Sequence, residues 1–417
     1  MFVLRQINNK INTMVVSMSV ICLMLFMTIT ILSSALALRN TMQKDLIEMT
    51  PVDLNLYKTA NLPEKYMKYG KEITTTEVQR ADSKITIKET LIKNGFDMDM
   101  LKDVVEVPIY TANNITLGES LGDSIDEVKV MFPFLQYDMA ETIMKVSDYN
   151  KIARLYGICE YTLNNDEYIV LCNYDSITNL RNKGLEIGNV LEIAGENYRP
   201  KYNKCQDGFI EMSTSHTNAG IILVPDSCNL KDENREKQIL AANYNDETDE
   251  GKEEIEKEFV DGSTLVKKLT EQGINIDGQT KITIIQSSVG LATIITFIAI
   301  YLGIIFLIAS SAILALKQLT DSSDNRQRYL ILRKIGCDEK MINKALFRQI
   351  GIFFMAPLVL AVIHSVFGVQ FGINAMAGLA SSEDLIPSVV ATIVLMIGIY
   401  GTYFLATYFG SKNIIKE

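Results

Sequence analysis

Two histidines and six cysteines are the residues of this 417-residue chain best suited to chemistry, and none stands in a reactive pattern. A P-loop needs G-x-x-x-x-G-K-[ST], because backbone amides and the lysine must surround the phosphates together. Gly70-Lys71 and Gly251-Lys252 lack both the upstream glycine and the following Ser or Thr. His216 and His364 stand alone, with no H-E-x-x-H, and no serine occupies G-x-S-x-G. His364 lies in an apolar stretch, where a lone polar side chain is expected to face a bundle interior rather than relay protons. Cys159, Cys172, Cys205 and Cys228 share one polar segment at spacings that match no zinc site. Four cysteines admit three pairings, so two disulfides, one or none stay open. The expectation is a chain with no catalytic, cofactor-binding or metal-ligating residue.

A different chemistry, recognition, is written between Lys317 and Arg348. Eight basic residues stand there against four acidic ones. A short helix is expected from about Asn325 to Ile335, stopped by Gly336, with Asp338 capping the helix that follows. Tyr329, Leu332 and Ile335 recur every three residues on one face, while Arg326, Arg333 and Lys334 point elsewhere. Such an element suits docking into a groove on a partner protein. The pattern also suits basic anchors beside an apolar face on lipid, and periodicity does not choose between the two.

What must position this segment is a set of membrane helices. Apolar residues make up 48% of the chain, and most lie in uncharged stretches that meet the roughly 20 residues a span requires. Spans are expected at 14–38, 282–316 (with the end of a stalk), 350–370 and 386–410. Ser382-Glu383-Asp384 and Pro387 make a helix start for the last. Ala35-Leu36-Ala37 looks like a cleavage site, but its apolar run exceeds the about 7–15 residues of a secretory core, so an anchor is expected. Lys and Arg flank the segments 1–13, 317–349 and 411–417, whereas 371–385 carries only Glu383 and Asp384. Positive charge marks the cytoplasmic side, so both termini are expected inside and residues 39–281 outside. A purely soluble protein, a disordered chain and a disulfide scaffold are excluded.

The segment from Arg39 to Lys281 holds 28 Lys+Arg against 43 Asp+Glu, in a chain of net charge −10. Such an acidic exterior argues against nucleic acid or anionic lipid head groups and is compatible with a cationic peptide, or serves solubility alone. The run Asp246 to Glu258 reads as a solvated loop or helix face. Arg39 to Met49 reads as a stalk helix ending at Thr50-Pro51, Thr74 to Lys93 as one helix, and Ser147 to Tyr156 as a serine-capped helix ending at Gly157. Strands are expected at Val52–Tyr57, Val104–Tyr110, Glu167–Tyr174, Leu185–Gly188, Val190–Ile193 and Ala219–Val224, and a helix at Leu265–Gln272. The fold class is thus a polytopic α-helical membrane protein of four transmembrane helices with a large extracytoplasmic α+β domain, in one piece or two subdomains, between helices 1 and 2.

The stretch R-x-R-Y-x-I-L-R-K-I-G from Arg326 to Gly336, followed by Lys340-Met341-Ile342 and a span opening Gln349-Ile-Gly-Ile-Phe-Phe354, resembles the FtsX-like permeases of ABC transporters. One span, a large outer domain and three further spans is similar to the macrolide-exporter type. Leu4-Arg5-Gln6-Ile7, Pro357 and Ile363-His364-Ser365 look more like bacitracin-efflux-type permeases, over residues 1–50 and 282–417. The resemblance implies that Arg326, Arg328, Tyr329, Leu332, Arg333, Lys334, Ile335 and Gly336 form a coupling helix that docks on a separate ABC ATPase subunit, which would carry out the ATP hydrolysis. It implies movement of the outer domain in antimicrobial-peptide resistance, export or sensing, with a sensor histidine kinase as a further partner. The same family includes mechanotransmission subunits that regulate a cell-wall hydrolase or handle lipoproteins, and a membrane-anchored receptor without an ATPase is the rival from another class. Bacitracin-type permeases have more spans, and this chain resembles their second half; a half-size permease, a split product or a truncated chain would all fit. Ser33-Ser34-Ala35 and Ala309-Ser310-Ser311-Ala312 could pack against a second half or copy, or within one protomer.

Overall fold

The structure, a computed structural model, describes residues 11–68, 70–259, 262–375 and 385–416. The Leu4–Ile7 stretch, Arg5, Lys10 and the Ser382-Glu383-Asp384 helix start lie outside the described residues. The chain divides into two units, one of Met1–Gln43 with Val289–Glu417 and one of Lys44–Ser288.

The first unit is helical. Its elements are α1 (Ile11–Glu48), α2 (Lys281–Asp324), α3 (Arg326–Lys334), α4 (Glu339–Ala375) and α5 (Leu385–Lys416), of which α1 and α2 are shared with the second unit. All but α3 are long and apolar enough to cross a membrane, in agreement with the four helices expected. Small residues let these helices approach, because lipid offers no competing burial and packing must bring them together. Ser33 is fully buried and its hydroxyl donates to Thr392 Oγ1 at 3.1 Å. A Cβ at Gly303 would come 2.5 Å from Leu32, and one at Gly372 would come 2.7 Å from the Ser34 hydroxyl. Ser310 and Ser311 are buried as well, each hydroxyl donating to the Leu307 carbonyl. Both serine stripes are therefore occupied within this unit. His364 departs from expectation: it is exposed on α4, with Nδ1 2.8 Å from the Leu360 carbonyl of its own helix. The helix backbone supplies its partner, so no interior site is needed.

The second unit is one body on a nine-stranded sheet rather than two subdomains. In chain order its strands are β1 (Leu54–Thr59), β2 (Lys65–Lys68), β3 (Lys71–Thr74), β4 (Leu101–Thr116), β5 (Ala140–Lys145), β6 (Glu167–Leu171), β7 (Leu191–Ile193), β8 (Glu196–Pro200), β9 (Ile221–Val224), β10 (Arg235–Tyr244) and β11 (Asp277–Thr280). The sheet runs β11-β1-β10-β4-β5-β9-β6-β8-β7, and β2 and β3 form a separate hairpin. Pairs β5–β9 and β6–β8 are parallel and the others antiparallel. Both faces are covered, which explains apolar runs without alternation such as Ile221–Val224. Ile221 and Leu223 enter one core with Ile169 and Leu171, while Ile222 and Val224 enter another with Tyr168 and Val170.

Several local expectations are corrected. Thr74 to Lys93 is two helices, Glu77–Asp82 and Ile87–Lys93, each opened by a threonine capping box. Leu185 belongs to the helix Asp175–Glu186 and not to a strand. The helix Val146–Tyr156 has Lys145 at its cap position, so Ser147 is inside it, although Gly157 does end it at φ +70°. The acidic run contains the helix Asp249–Glu256 and is partly structural: Glu256 is buried and accepts from Tyr244 Oη at 2.6 Å, and Lys252 pairs with Asp53 at 2.9 Å.

Candidate functional site

Helix α3 is built between the ends of two long helices, and its boundaries follow from local backbone chemistry. At its start the Asn325 carbonyl accepts from the Arg328 and Tyr329 amides, and the Asn325 amide group donates to the Asp321 carbonyl of α2 at 2.8 Å. At its end Gly336 adopts φ +90°. The Cys337 amide then reaches the Leu332 carbonyl at 3.1 Å and the Gly336 amide reaches that of Arg333 at 3.0 Å. This pair of bonds is a Schellman motif, which satisfies carbonyls that the helix end would otherwise strand. The Asp338 carbonyl accepts the first bonds of α4.

The expected apolar face is divided between interior and exterior. Tyr329 is 1% exposed, lies in one apolar cluster with Leu314, Ile342, Leu346 and Ile350, and donates from its hydroxyl to Gln349 Oε1 at 3.2 Å. Leu332 is half-buried against the same cluster. Only Ile335, 70% exposed, faces outward, joined by Ile331 at 59%. Tyr329 therefore holds α3 to its own chain and is unavailable to a partner. Arg333 is also turned inward: Nε binds Glu339 at 2.6 Å and Nη1 donates to the Ile415 carbonyl of α5 at 2.5 Å. Arg326, Arg328, Lys334 and Gly336 are exposed, with Arg328 also donating to Asn325 Oδ1 at 3.1 Å. The surface left open is thus Ile331 and Ile335 among basic side chains. Ile331 escaped the sequence reading, although its four-residue spacing from Ile335 was a usable signal.

Each unit also carries a cavity of its own. In the helical unit an apolar groove of about 800 Å³ runs between α4 and α5, lined by Phe354, Leu358, Val362, Val389, Met396 and Tyr400 among others. In the sheet unit a cleft of about 420 Å³ mixes apolar Met49 and Phe209 with Glu211, Asn218, Glu236 and Lys237. Beside it His216 lies 3.4 Å from Asp45 and 3.7 Å from Glu48. The hydrogen bond to Asp45 raises the His216 pKa above its ordinary value, against the opposing effect of burial. Among the described residues no three His, Cys, Asp or Glu side chains gather as metal ligands would.

No family model matches the chain. It is 33% identical over 123 residues to the bacitracin export permease protein BceB of Bacillus subtilis, covering 30% of this chain and 18% of that protein. The ABC transporter permease protein YxdM of Bacillus subtilis is 30% identical over 97 residues, 23% of this chain and 16% of the relative. An uncharacterized ABC transporter permease of Bacillus subtilis, YvcS, is 25% identical over 161 residues, 39% of this chain and 24% of the relative. These matches span no more than 24% of the relatives' own length. With four helices able to cross a bilayer, the chain is a multi-pass membrane protein related to the ABC transporter permeases, bacitracin export permeases among them.

Proposed function

We propose that the chain is the permease subunit of a bacterial ABC transporter of the FtsX-like kind, and that a separate ATPase subunit hydrolyses ATP and drives it. The observation that carries this reading is the construction of α3. Ile331 and Ile335 stand exposed among Arg326, Arg328 and Lys334, while Tyr329 and Arg333 fasten the helix to α4 and α5. A partner that seats the two isoleucines in an apolar groove rimmed by carboxylates would push on α3, and α3 could not yield without moving the helices it is tied to. In this reading α3, both termini and the ATPase are cytoplasmic, at a bacterial plasma membrane, and residues 39–281 are outside. The acidic outer domain would meet a cationic antimicrobial peptide, for resistance, export or sensing, and the cleft carrying Glu211 and Glu236 is where such a ligand would be held. The groove between α4 and α5 offers an apolar face to a second permease half or a second copy.

The test is a mild-detergent pull-down of the tagged chain followed by mass spectrometry. An ABC ATPase subunit is expected with the wild type and with Tyr329→Phe, and is expected to be lost from the double variant Ile331→Asp, Ile335→Asp. A double variant with an unchanged melting midpoint that still recovered the ATPase in full would remove the coupling role from α3. A co-purifying histidine kinase would assign the output to sensing, and a cell-wall hydrolase would assign it to mechanotransmission.

A further inference from the structure

Four cysteines lie in the sheet unit, and all are free thiols in this structure. Two of them lie on one face of neighbouring segments. Cys172 follows β6 directly, and the backbone beside Cys205 runs parallel to it: the Cys172 amide donates to the Gln206 carbonyl at 2.9 Å and the Gln206 amide to the Val170 carbonyl at 2.8 Å. Leu171 is therefore bridged to Gln206, and Cys172, one residue after the bridge, and Cys205, one residue before it, lie diagonally on the opposite face. The two thiols are near enough to shift one another's pKa, in opposite directions. The helix Asp175–Glu186 braces both, with Thr178 Oγ1 donating to Cys172 Sγ at 3.2 Å and Asn182 Oδ1 accepting from the Cys205 amide at 2.7 Å. The other two thiols sit differently: Cys228 is buried in an apolar cluster with Tyr198, and exposed Cys159 donates to the Glu160 carbonyl at 3.8 Å.

We propose that Cys172 and Cys205 form an intramolecular disulfide, stapling the return segment after β8 to the end of β6, while Cys159 and Cys228 stay unlinked. The first proton leaves Cys172 readily, because the neighbouring Cys205 thiol lowers its pKa, with Thr178 and Arg181 adding to the effect; the same proximity raises that of Cys205. Cys205 is the more exposed of the two; once its proton is lost to solvent, it attacks a small-molecule disulfide, breaking its S–S bond and releasing one thiolate. Cys172, deprotonated by solvent, then attacks the Cys205 sulfur of this mixed disulfide and expels the second thiolate. Two protein thiols are oxidised by two electrons, and one oxidant disulfide is reduced to two thiols. The presence of an oxidant in the cell rests on the outward orientation of residues 39–281 proposed above; the pairing itself does not.

The experiment uses the purified full chain in detergent, reduced and then incubated with oxidised glutathione. Free thiols are alkylated and peptides are mapped without reduction. The expected result is one linked peptide joining Cys172 to Cys205, with Cys159 recovered free or as a glutathione adduct. Cys172→Ser should trap glutathione on Cys205, and a variant with both Cys159→Ser and Cys228→Ser should still form the link. Alkylation of both Cys172 and Cys205 after oxidation, or a link through Cys159 or Cys228, would overturn the proposal. A membrane-impermeant maleimide applied to intact cells separately reports orientation: failure to label exposed Cys159 until lysis would refute the outward placement and leave the pairing result standing.

Discussion

His216 sits between Asp45 and Glu48, with the charge of Asp207 also favouring its protonated form. Its folded pKa is raised, so the stability it contributes is complete below the unfolded value of about 6.5 and is lost as pH rises through the folded one. Raising the pH from about 5.5 to about 8.5 should therefore lower the melting midpoint of the wild type, and His216→Gln should lack this component. An unchanged pH slope in the variant would assign the effect to other groups. A second residue-scale device is the pair Arg181–Glu141, bidentate at 2.8 Å for both bonds and less than a tenth exposed on either side. Arg181 fills the space a side chain at Gly220 would need, where a Cβ would come within 2.2 Å of the guanidinium. Glu141→Ala leaves that cation buried and unpaired, which should cost roughly 3–5 kcal/mol in denaturant unfolding. Neither partnership could be read from spacing, because Arg181 and Glu141 meet only once β5 and the helix Asp175–Glu186 are packed.

At the scale of elements, α3 shows what local signals can and cannot specify. Gly336 at φ +90° has open space where a Cβ would stand, so Gly336→Ala meets no clash and pays only for the left-handed backbone. The loss should be about 1–2 kcal/mol, visible as a lower melting midpoint and faster hydrogen exchange at the Cys337 amide. Its glycine and the Asp338 start made the limits of α3 legible in the sequence. The direction of its apolar face was not, because Tyr329 is turned inward by α4 residues far along the chain, such as Gln349. In the sheet unit the same division holds. Thr76 with Gln79 and Thr86 with Glu89 were legible capping boxes, and passing over the second merged two helices into one. The strand expectation at Leu185–Gly188 failed for another reason: a run of four residues with apolar and polar alternation also fits the end of a helix, and the helix Asp175–Glu186 is longer than that window.

At the scale of the molecule, close packing of the long helices makes a strict demand on residue size. Ser33→Leu would force a bulky side chain into the contact with Thr392, and overpacking of this kind should cost about 1–3 kcal/mol, read as a lower melting midpoint in detergent. The four spans were legible because length and polarity alone define them, whereas the sheet order was not, since β10 pairs with β1 and β4 across long sequence separations. That order has one further consequence. The two outermost strands, β11 and β7, are only four and three residues long, one leading straight into α2 and the other turning at Ala194-Gly195 with positive φ. Free strand edges are the usual template on which chains add to one another, and edges this short give an incoming strand almost no hydrogen-bonding length. The sheet thus resists sticking edge to edge.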